Sequence, residues 1–357
     1  MHLKIISHTV WAIVLVLFCG AAIAQCITCP PPAPICPTCT NSVTSSSPNV
    51  NSGLQFGLFT NPALGNAGAL GSTISNFVSG GGTANAGLDV KRYSLSGSTG
   101  AAAAPGGTQW NVWGAYSHNN VAYEFSPLSS SGHVNVYIAG IDYTFSNNVV
   151  FGVATAFDHT SVDLNFSGGV ISGSGYTISP YVGMLINKNL SVDATLGVGR
   201  TSVDTIVTGV TGSSHTNRTI GALGLTYREA IGAWTLTGRG AILGVHDQLG
   251  AYTLSNGTFI PDGTVNVSQV RLTGQAAYTI KSFTPYVSLT YINDLNRPDQ
   301  QPVNGVSAAN DRDAWTPAIG IRFKADNAIY GSAQYSSERG RSDVKNNMFL
   351  LNLGIRF

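Results

Sequence analysis

Two Cys-x-x-Cys pairs are the sharpest chemical motif of the chain, at Cys26, Cys29, Cys36 and Cys39. Thiolates at this spacing can wrap one tetrahedral zinc ion, but the short proline-rich stretch between the pairs differs from the spacer of a zinc ribbon. The residues before them have the pattern of an export signal, and exported cysteines meet an oxidising compartment. The motif therefore favours disulfides over zinc. Their connectivity stays open, as do lipid modification and free thiols.

Histidine and aspartate supply the other candidates for chemistry. Five histidines follow the export signal, and they are scattered singly without metal-ligand spacing: His118, His133, His159, His215 and His246. We predict no metal site and no cofactor. Asp158-His159 and His246-Asp247 resemble acid–base pairs of proteases, but adjacent strand residues point to opposite faces. A pairing of Asp158 with His246, or of Asp247 with His159, stays open. The chain has no Gly-x-Ser-x-Gly motif and no P-loop, and we predict that it is not an enzyme.

The composition limits the elements that can carry these residues. Charged residues make up 10% of the chain, whereas soluble proteins have about 25%. After the signal, no stretch reaches the roughly 18 consecutive apolar residues that a spanning helix needs. A charge-poor chain with 42 glycines, 14 tyrosines and 14 phenylalanines fits a membrane β-barrel, whose strands alternate apolar and polar residues. A glycine-rich soluble β-protein is the alternative. The net charge of +1 implies no nucleic-acid partner.

The N-terminal third divides into a signal and a low-charge segment. Residues 1–24 have a positive start, the apolar core Val10–Phe18 and an Ala-x-Ala cleavage site, which together predict a signal peptide. Residues 25–108 follow, rich in Ser, Thr, Asn, Gly and Ala, as in linkers. Within them, residues 61–78 have weak helical character, and a helix and disorder are equally open.

From residue 109 to 357 the sequence predicts about twelve strands of an antiparallel transmembrane barrel. They are expected at 110–120, 133–146, 148–160, 174–187, 190–203, 216–229, 234–246, 265–280, 283–295, 313–325, 328–338 and 345–357. Short turns alternate with long Gly/Ser/Asn/Asp-rich loops, expected at 120–132, 163–173, 204–214, 247–264, 296–312 and 339–343. Outer-membrane barrels sort their connections in this way, with short turns in the periplasm.

Alternation within these strands separates two faces. Charges cost about 2–4 kcal/mol on the lipid face, and we predict that the charged residues line the lumen: Asp158, Asp193, Arg239, Arg271, Lys281, Arg322, Lys324 and Arg356. Arg239 and Arg271 would need an acidic partner such as Asp193 or Glu229. Aromatic residues near strand ends form a predicted girdle on or near the periplasmic side: Trp110, Tyr143, Phe145, Trp234, Phe283 and Trp315.

The last strand has one uniformly apolar face that ends on the chain terminus. Its members are Phe349, Leu351, Leu353, Ile355 and Phe357. This pattern resembles the C-terminal signal strand that the outer-membrane assembly machinery reads. An ordinary closing strand of a soluble sheet is the alternative.

Residues 110–357 resemble the β-domain of autotransporters, the type V secretion translocators. The opening WNVWGAYS strand, the segment GVATAFDHTSVD, the hairpin YVGMLINKNLSVDATLGVGRTSVD and the closing FLLNLGIRF carry the resemblance. It implies a barrel in the Gram-negative outer membrane, a helical segment through the pore and an N-terminal passenger at the cell surface. Here only about residues 25–105 are available as passenger, without repeats or catalytic motifs, which departs from the long passengers of the family.

We therefore expect an outer-membrane barrel that translocates or displays its own N-terminal segment. A diffusion pore and an adhesin that acts through its loops are the alternatives. The expected partners are outer-membrane lipid and lipopolysaccharide, periplasmic chaperones and the barrel-assembly machinery. The surface ligand is unknown.

Overall fold

A computed structural model describes residues 110–125, 128–146, 149–207, 209–297, 309–325 and 329–356. Predictions for the signal peptide, for residues 25–108, for the four cysteines and for Phe357 fall outside these residues. The same holds for the side chain of Arg356. Within the described ranges, no helix is long and apolar enough to cross a membrane.

Twelve strands of the described chain form a closed antiparallel barrel, as the alternating pattern predicts. In chain order, with two further short strands (β8 and β9), the strands are β1 Trp110–Tyr123, β2 Ser130–Ser146, β3 Val149–Leu164, β4 Gly169–Leu185, β5 Leu190–Val207, β6 Val210–Ile231, β7 Trp234–Leu249, β8 Tyr252–Thr253, β9 Phe259–Ile260, β10 Gly263–Tyr278, β11 Phe283–Asn296, β12 Asp313–Ala325, β13 Ile329–Glu338 and β14 Val344–Arg356. Each barrel strand pairs with its sequence neighbours, β7 pairs with β10, and β1 pairs with β14 from Asn111↔Arg356 to Tyr123↔Val344. No strand edge of the barrel is left open.

Two predicted long loops are wrong. Residues 163–173 and 204–214 are mostly strand, because β3 and β4 extend to a turn at 165–168, β5 extends to Val207, and β6 begins at Val210. The polar residues of these stretches alternate with inward apolar residues, of which Leu164 and Ile171 are buried and Val207 is partly buried. A loop-like composition therefore concealed a period-two pattern that suits a strand. The stretch 247–264 contains a small hairpin of β8 and β9, which the sequence did not predict.

The outer face carries a band of exposed apolar side chains. In β5 it runs from Leu190 to Val198, with Leu196 69% exposed. Nine residues rise roughly 27 Å along a strand, which a tilt of about 40° reduces to roughly 20 Å, close to the apolar band of outer-membrane barrels. An exposed apolar belt of this height is the surface that hydrocarbon covers.

Candidate functional site

The candidate site is the lumen, which the inward residues of the twelve barrel strands line. Several side-chain hydrogen bonds join inward residues of next-nearest strands and pass over the strand between them. Examples are Arg239 with Asp193, from β7 to β5, and Arg322 with Gln275, from β12 to β10. Strand alternation also places Asp158, Arg271 and Lys324 on the inner face. The inward face therefore carries these charges, whereas outward charges such as Arg200 and Glu229 lie toward the strand ends.

Lys281 was predicted to line the lumen, and this prediction is wrong. The strand β10 ends at Tyr278, and Lys281 lies in the turn before β11, exposed and with a φ of 53°. A residue in this left-handed turn is no part of the wall. Trp315 was predicted to belong to an aromatic girdle on or near the periplasmic side. It lies instead near the start of β12, at the end opposite the short turns, where it contacts Tyr291.

A buried polar network joins four strands near the end of the short turns. One carboxylate oxygen of Asp142 accepts hydrogen bonds from Asn111 (3.1 Å), Trp113 (3.1 Å) and Tyr181 (2.8 Å). The hydroxyl of Tyr330 donates to Asn111 Oδ1 over 2.9 Å. The residues lie on β1, β2, β4 and β13. The network therefore connects β1 with β2 and β4 on one side of it and with β13 on the other. The sequence analysis did not identify Asp142. Its chain neighbours Ile141 and Tyr143 are apolar and point outward, which would have placed the Asp142 side chain on the inner face.

An ion pair lies in the wall next to this network. The guanidinium of Arg239 donates to both oxygens of Asp193, over 2.6 and 2.9 Å, and to Thr226 Oγ1 over 3.0 Å. Of the two proposed acidic partners, Glu229 is not involved, because it points outward and accepts a hydrogen bond from Tyr227. A bidentate pair of this kind fixes both side chains in the lumen.

A second buried pair lies nearer the opposite end of the barrel. Arg218 Nε and Nη2 each donate to Asp247 over 2.8 Å. Asp158 adds a second carboxylate to the electrostatic surroundings of Arg218. The sequence did not identify Arg218, because its strand was expected to begin at 216 and the residue fell in a polar stretch.

A third group of charges anchors the loops at this end. Arg341, from the β13–β14 connection, donates to Asp294 over 2.9 Å, and Gln269 donates to the same oxygen over 2.7 Å. Arg341 also lies 3.2 Å from Glu338. Since Arg341 belongs to a loop and Asp294 to β11, the pair fastens that loop to the interior.

The loop residues beside this group are also hydrogen-bonded. Arg297 donates to the carbonyl oxygens of Asp311 (2.6 Å) and Ala309 (3.1 Å), and burial lowers the pKa of its guanidinium. The backbone N–H of Ser342 donates to Asp311 over 2.8 Å, and this bond holds the pKa of Asp311 below its usual range.

The β10–β12 wall is positively charged. Arg271 donates to the side-chain oxygen of Gln269 over 2.8 and 3.1 Å. Arg322 donates to Gln275 over 2.8 Å and lies 4.4 Å from the ring centre of Tyr286. Within the described chain, neither arginine has a carboxylate within ion-pair distance. Neutral acceptors orient both groups without cancelling their charge.

The interior is not uniformly polar. Toward the end opposite the short turns, inward positions become apolar, and one buried cluster comprises Val121, Tyr123, Phe125, Leu128, Val162, Leu164, Ile171, Val203 and Val344. A second lies on β6, β7 and β10, where Leu243 is 1% exposed. The predicted polar-inside pattern therefore holds only in part, because a third buried cluster, which includes Val136, Ile138 and Val150, lies on the inner face within the membrane band.

The proposed acid–base pairs are not formed. Asp158 and Asp247 point inward, whereas His159 and His246 point outward. In the described residues, no group of three or more His, Cys, Asp and Glu side chains is placed to hold a metal ion.

The outward face of β14 carries the predicted assembly residues. Phe349, Leu351, Leu353 and Ile355 are 39–58% exposed. They extend the apolar band across the seam between β14 and β1.

A closed barrel with an apolar outside and a charged lumen defines the protein as a transmembrane β-barrel. The family model for the autotransporter beta-domain matches residues 124–336, more than half of the chain. The chain belongs to the autotransporter β-domain family. Barrels of this family are transport domains in the outer membrane of Gram-negative bacteria, and typically are not enzymes.

Solved structures share the fold at low sequence identity. The translocator domain of the autotransporter NalP from Neisseria meningitidis matches with a TM-score of 0.59 and 13% identity over 70% of this chain and 89% of that one. The beta domain of the Bordetella autotransporter BrkA matches with a TM-score of 0.58 and 14% identity over 70% of this chain and 99% of that one. Comparison with curated protein sequences gives no significant match.

Proposed function

We propose that this chain is exported by residues 1–24, inserts as an outer-membrane barrel and displays its own segment 25–108 at the cell surface. The position of Trp110 carries the proposal. Trp110 opens β1 at the end of the barrel that has the short turns, such as 186–189 and 232–233. In outer-membrane barrels that end faces the periplasm. Residues 25–108 therefore join the barrel on the periplasmic side.

The route of the segment follows from solvation. Hydrocarbon cannot satisfy the hydrogen bonds of an irregular backbone, so such a segment does not cross a membrane on the lipid side of a barrel. The lumen offers polar side chains within the membrane band, such as Asp142, Arg322, Asp193 and Arg271. We infer that the segment passes through the lumen. The arginines of the β10–β12 wall and the carboxylates of the β2–β5 wall would line its path.

Assembly is the second part of the proposal. We propose that the apolar outward face of β14 acts as the barrel-assembly signal and that periplasmic chaperones deliver the chain. The exposure of Leu353 and Ile355, at 58% and 51%, supports a surface that needs cover until insertion.

Epitope accessibility on intact cells tests the display. One epitope is inserted between Ser47 and Pro48. Two control epitopes follow Gly257, in the long β7–β10 connection, and Gly232, in a short turn; both glycines have positive φ and no neighbouring atom in reach of an added Cβ. We expect antibody to bind the epitopes at 47 and 257 on intact cells, and the one at 232 only after permeabilisation. Binding at 257 together with protection at 47 would contradict display and would indicate a plug or periplasmic tail.

A further inference from the structure

The two faces of the barrel exchange their polarity at one level. In β3 the outward residues Phe151, Val153 and Phe157 are apolar, and the next outward residue is His159. On the inner face of the same strand, Val162 follows Asp158 and is fully buried. The strands β5 and β10 change in the same way. This level marks the edge of the hydrocarbon, because most outward apolar residues lie below it; Ile206, farther out on β5, is an exception.

All five histidines of the described chain lie on the outer face beyond this edge; His118, His159 and His246 follow it directly, whereas His133 and His215 lie farther out along their strands. They occupy strands β1, β2, β3, β6 and β7: His118, His133, His159, His215 and His246. We call them the histidine collar. Arg200, on the outer face of β5, lies at the same level, two residues beyond Val198. The collar covers about half of the barrel circumference.

Cross-strand partners hold four of the imidazole rings. Each ring places Nδ1 within hydrogen-bond distance of the residue directly opposite on the next strand. The pairs are His118 with Asn135 (2.8 Å), His159 with Ser174 (3.0 Å), His215 with Ser202 (3.1 Å) and His246 with Asn266 (2.5 Å). An amide oxygen only accepts, so Nδ1 donates to Asn135 and Asn266, which leaves Nε2 for another partner. The fifth ring, His133, stacks on His118 with a centroid distance of 6.0 Å.

The charges around the collar are few. In the strand registers, no carboxylate lies directly opposite any of the five histidines. His118 faces Asn135 and Phe349, and His133 faces Asn120 and Ser161, so that the two histidines are diagonal neighbours. His159 faces Asn135 and Ser174, His215 faces Ser202, and His246 faces Thr219 and Asn266. Asp204 lies diagonal to His215, Asp163 lies diagonal to His133, and Glu124 pairs with Lys345 at 2.7 Å.

We propose that the histidine collar binds phosphate groups of anionic lipids in the outer leaflet. The lipid headgroup is the source of the phosphate because the apolar band directly below the collar holds acyl chains. Each fixed ring presents Nε2 at headgroup depth, and a protonated Nε2 donates a charged hydrogen bond to a phosphate oxygen. Imidazole gains its proton as the pH falls from about 8 to about 5. Anionic lipid is therefore bound more strongly in acid, and mainly on the β1–β7 side.

Spin-labelled lipids test this directly in bilayers. The full chain is reconstituted in phosphatidylcholine, and electron paramagnetic resonance gives the association of spin-labelled phosphatidylglycerol relative to spin-labelled phosphatidylcholine. Neither headgroup titrates in the range used. Between about pH 8 and about pH 5.5, we expect the ratio to rise roughly threefold. Replacement of all five collar histidines by glutamine is expected to abolish the rise. The control Q248N changes an exposed outward residue of β7 that faces no collar histidine and is expected to keep it.

Three results would overturn the proposal. They are a pH-independent ratio in the unaltered protein, a full rise in the fivefold variant, and suppression of the rise by inorganic phosphate beyond the effect of chloride at equal ionic strength. The last result would indicate a site for free phosphate. If the fivefold variant does not insert, the double variant H159Q with H246Q, both at exposed positions, is expected to lose a measurable part of the rise. An unchanged rise there also counts against the collar. These outcomes do not depend on whether residues 25–108 reach the surface.

Discussion

Removal of one partner of the Asp193–Arg239 pair should weaken the barrel strongly. The side chain of Asp193 is 2% exposed and that of Arg239 11%. Loss of one partner from a buried ion pair costs about 3–5 kcal/mol, because the other charge stays behind without compensation. Since Arg239 keeps some contact with water, we expect the lower end of this range, about 3 kcal/mol, for Asp193→Ala and for Arg239→Met.

The double variant separates the pair from its surroundings. If the two side chains act on each other, the double variant should cost about 2 kcal/mol less than the sum of the single ones. The assay is equilibrium urea unfolding of the full chain in phosphatidylcholine vesicles, followed by tryptophan fluorescence. Glu229→Gln is the matched control, because this carboxylate faces outward with Tyr227, and it should change stability by less than about 0.5 kcal/mol. Additive losses below about 1 kcal/mol each would refute the reasoning.

Three further predictions concern the lipid face, the lumen packing and the loops. Leu196→Arg, in the middle of the apolar band, should lower the unfolding free energy in vesicles by about 2–4 kcal/mol. Ser202→Arg, beyond the edge of the band, should lower it by less than about 1 kcal/mol. Equal costs would contradict the position of the band. Gly152→Ala brings a Cβ to 2.3 Å from the Tyr181 ring and should cost about 1–3 kcal/mol in the same assay, whereas Gly238→Ala meets no atom within 4 Å and should be neutral. The hydrogen bond from Ser342 lowers the pKa of Asp311 in the folded protein. Asp311 therefore stabilises the loop above about pH 4 and loses this effect as the pH falls through its folded pKa. Hydrogen exchange of the Ser342 amide should speed up in acid, beyond the intrinsic trend, in the unaltered chain but not in Asp311→Asn.

The period-two pattern predicted most of the fold. Twelve strands and the outward face of β14 follow from alternation, because lipid selects apolar residues on one face of every strand, and the antiparallel order follows from the sorting of short and long connections. The same reasoning failed at 163–173 and 204–214. There the barrel continues beyond the hydrocarbon, so that the apolar face turns inward and the outward face fills with Ser, Thr and Asp. Glycine and serine then look like loop residues although their neighbours alternate.

The lumen contacts were less accessible to sequence reasoning. Alternation assigns Asp193 and Arg239 to the inner face, but it does not say that they meet across β6. Such a contact depends on the register of three strands and on the curvature of the wall. Lys281 was misplaced for a related reason, because the end of β10 at Tyr278 depends on a tight turn that periodicity does not fix. Asp142 was overlooked because its three hydrogen-bond donors lie on other strands, and the sequence around a single acidic residue does not identify them.

A nitroxide scan of β5 tests the central claim most directly. Single labels are placed from residue 190 to residue 204 in the full chain, reconstituted in lipid bilayers, and their collisions with oxygen and with a water-soluble nickel chelate are measured. The account predicts high oxygen collision at even positions up to Val198, low values at odd positions, and a change to nickel-chelate contact at Arg200, Ser202 and Asp204. Uniform access for the nickel chelate along the strand, or no alternation between 190 and 198, would contradict a barrel that faces hydrocarbon outside and a polar lumen inside.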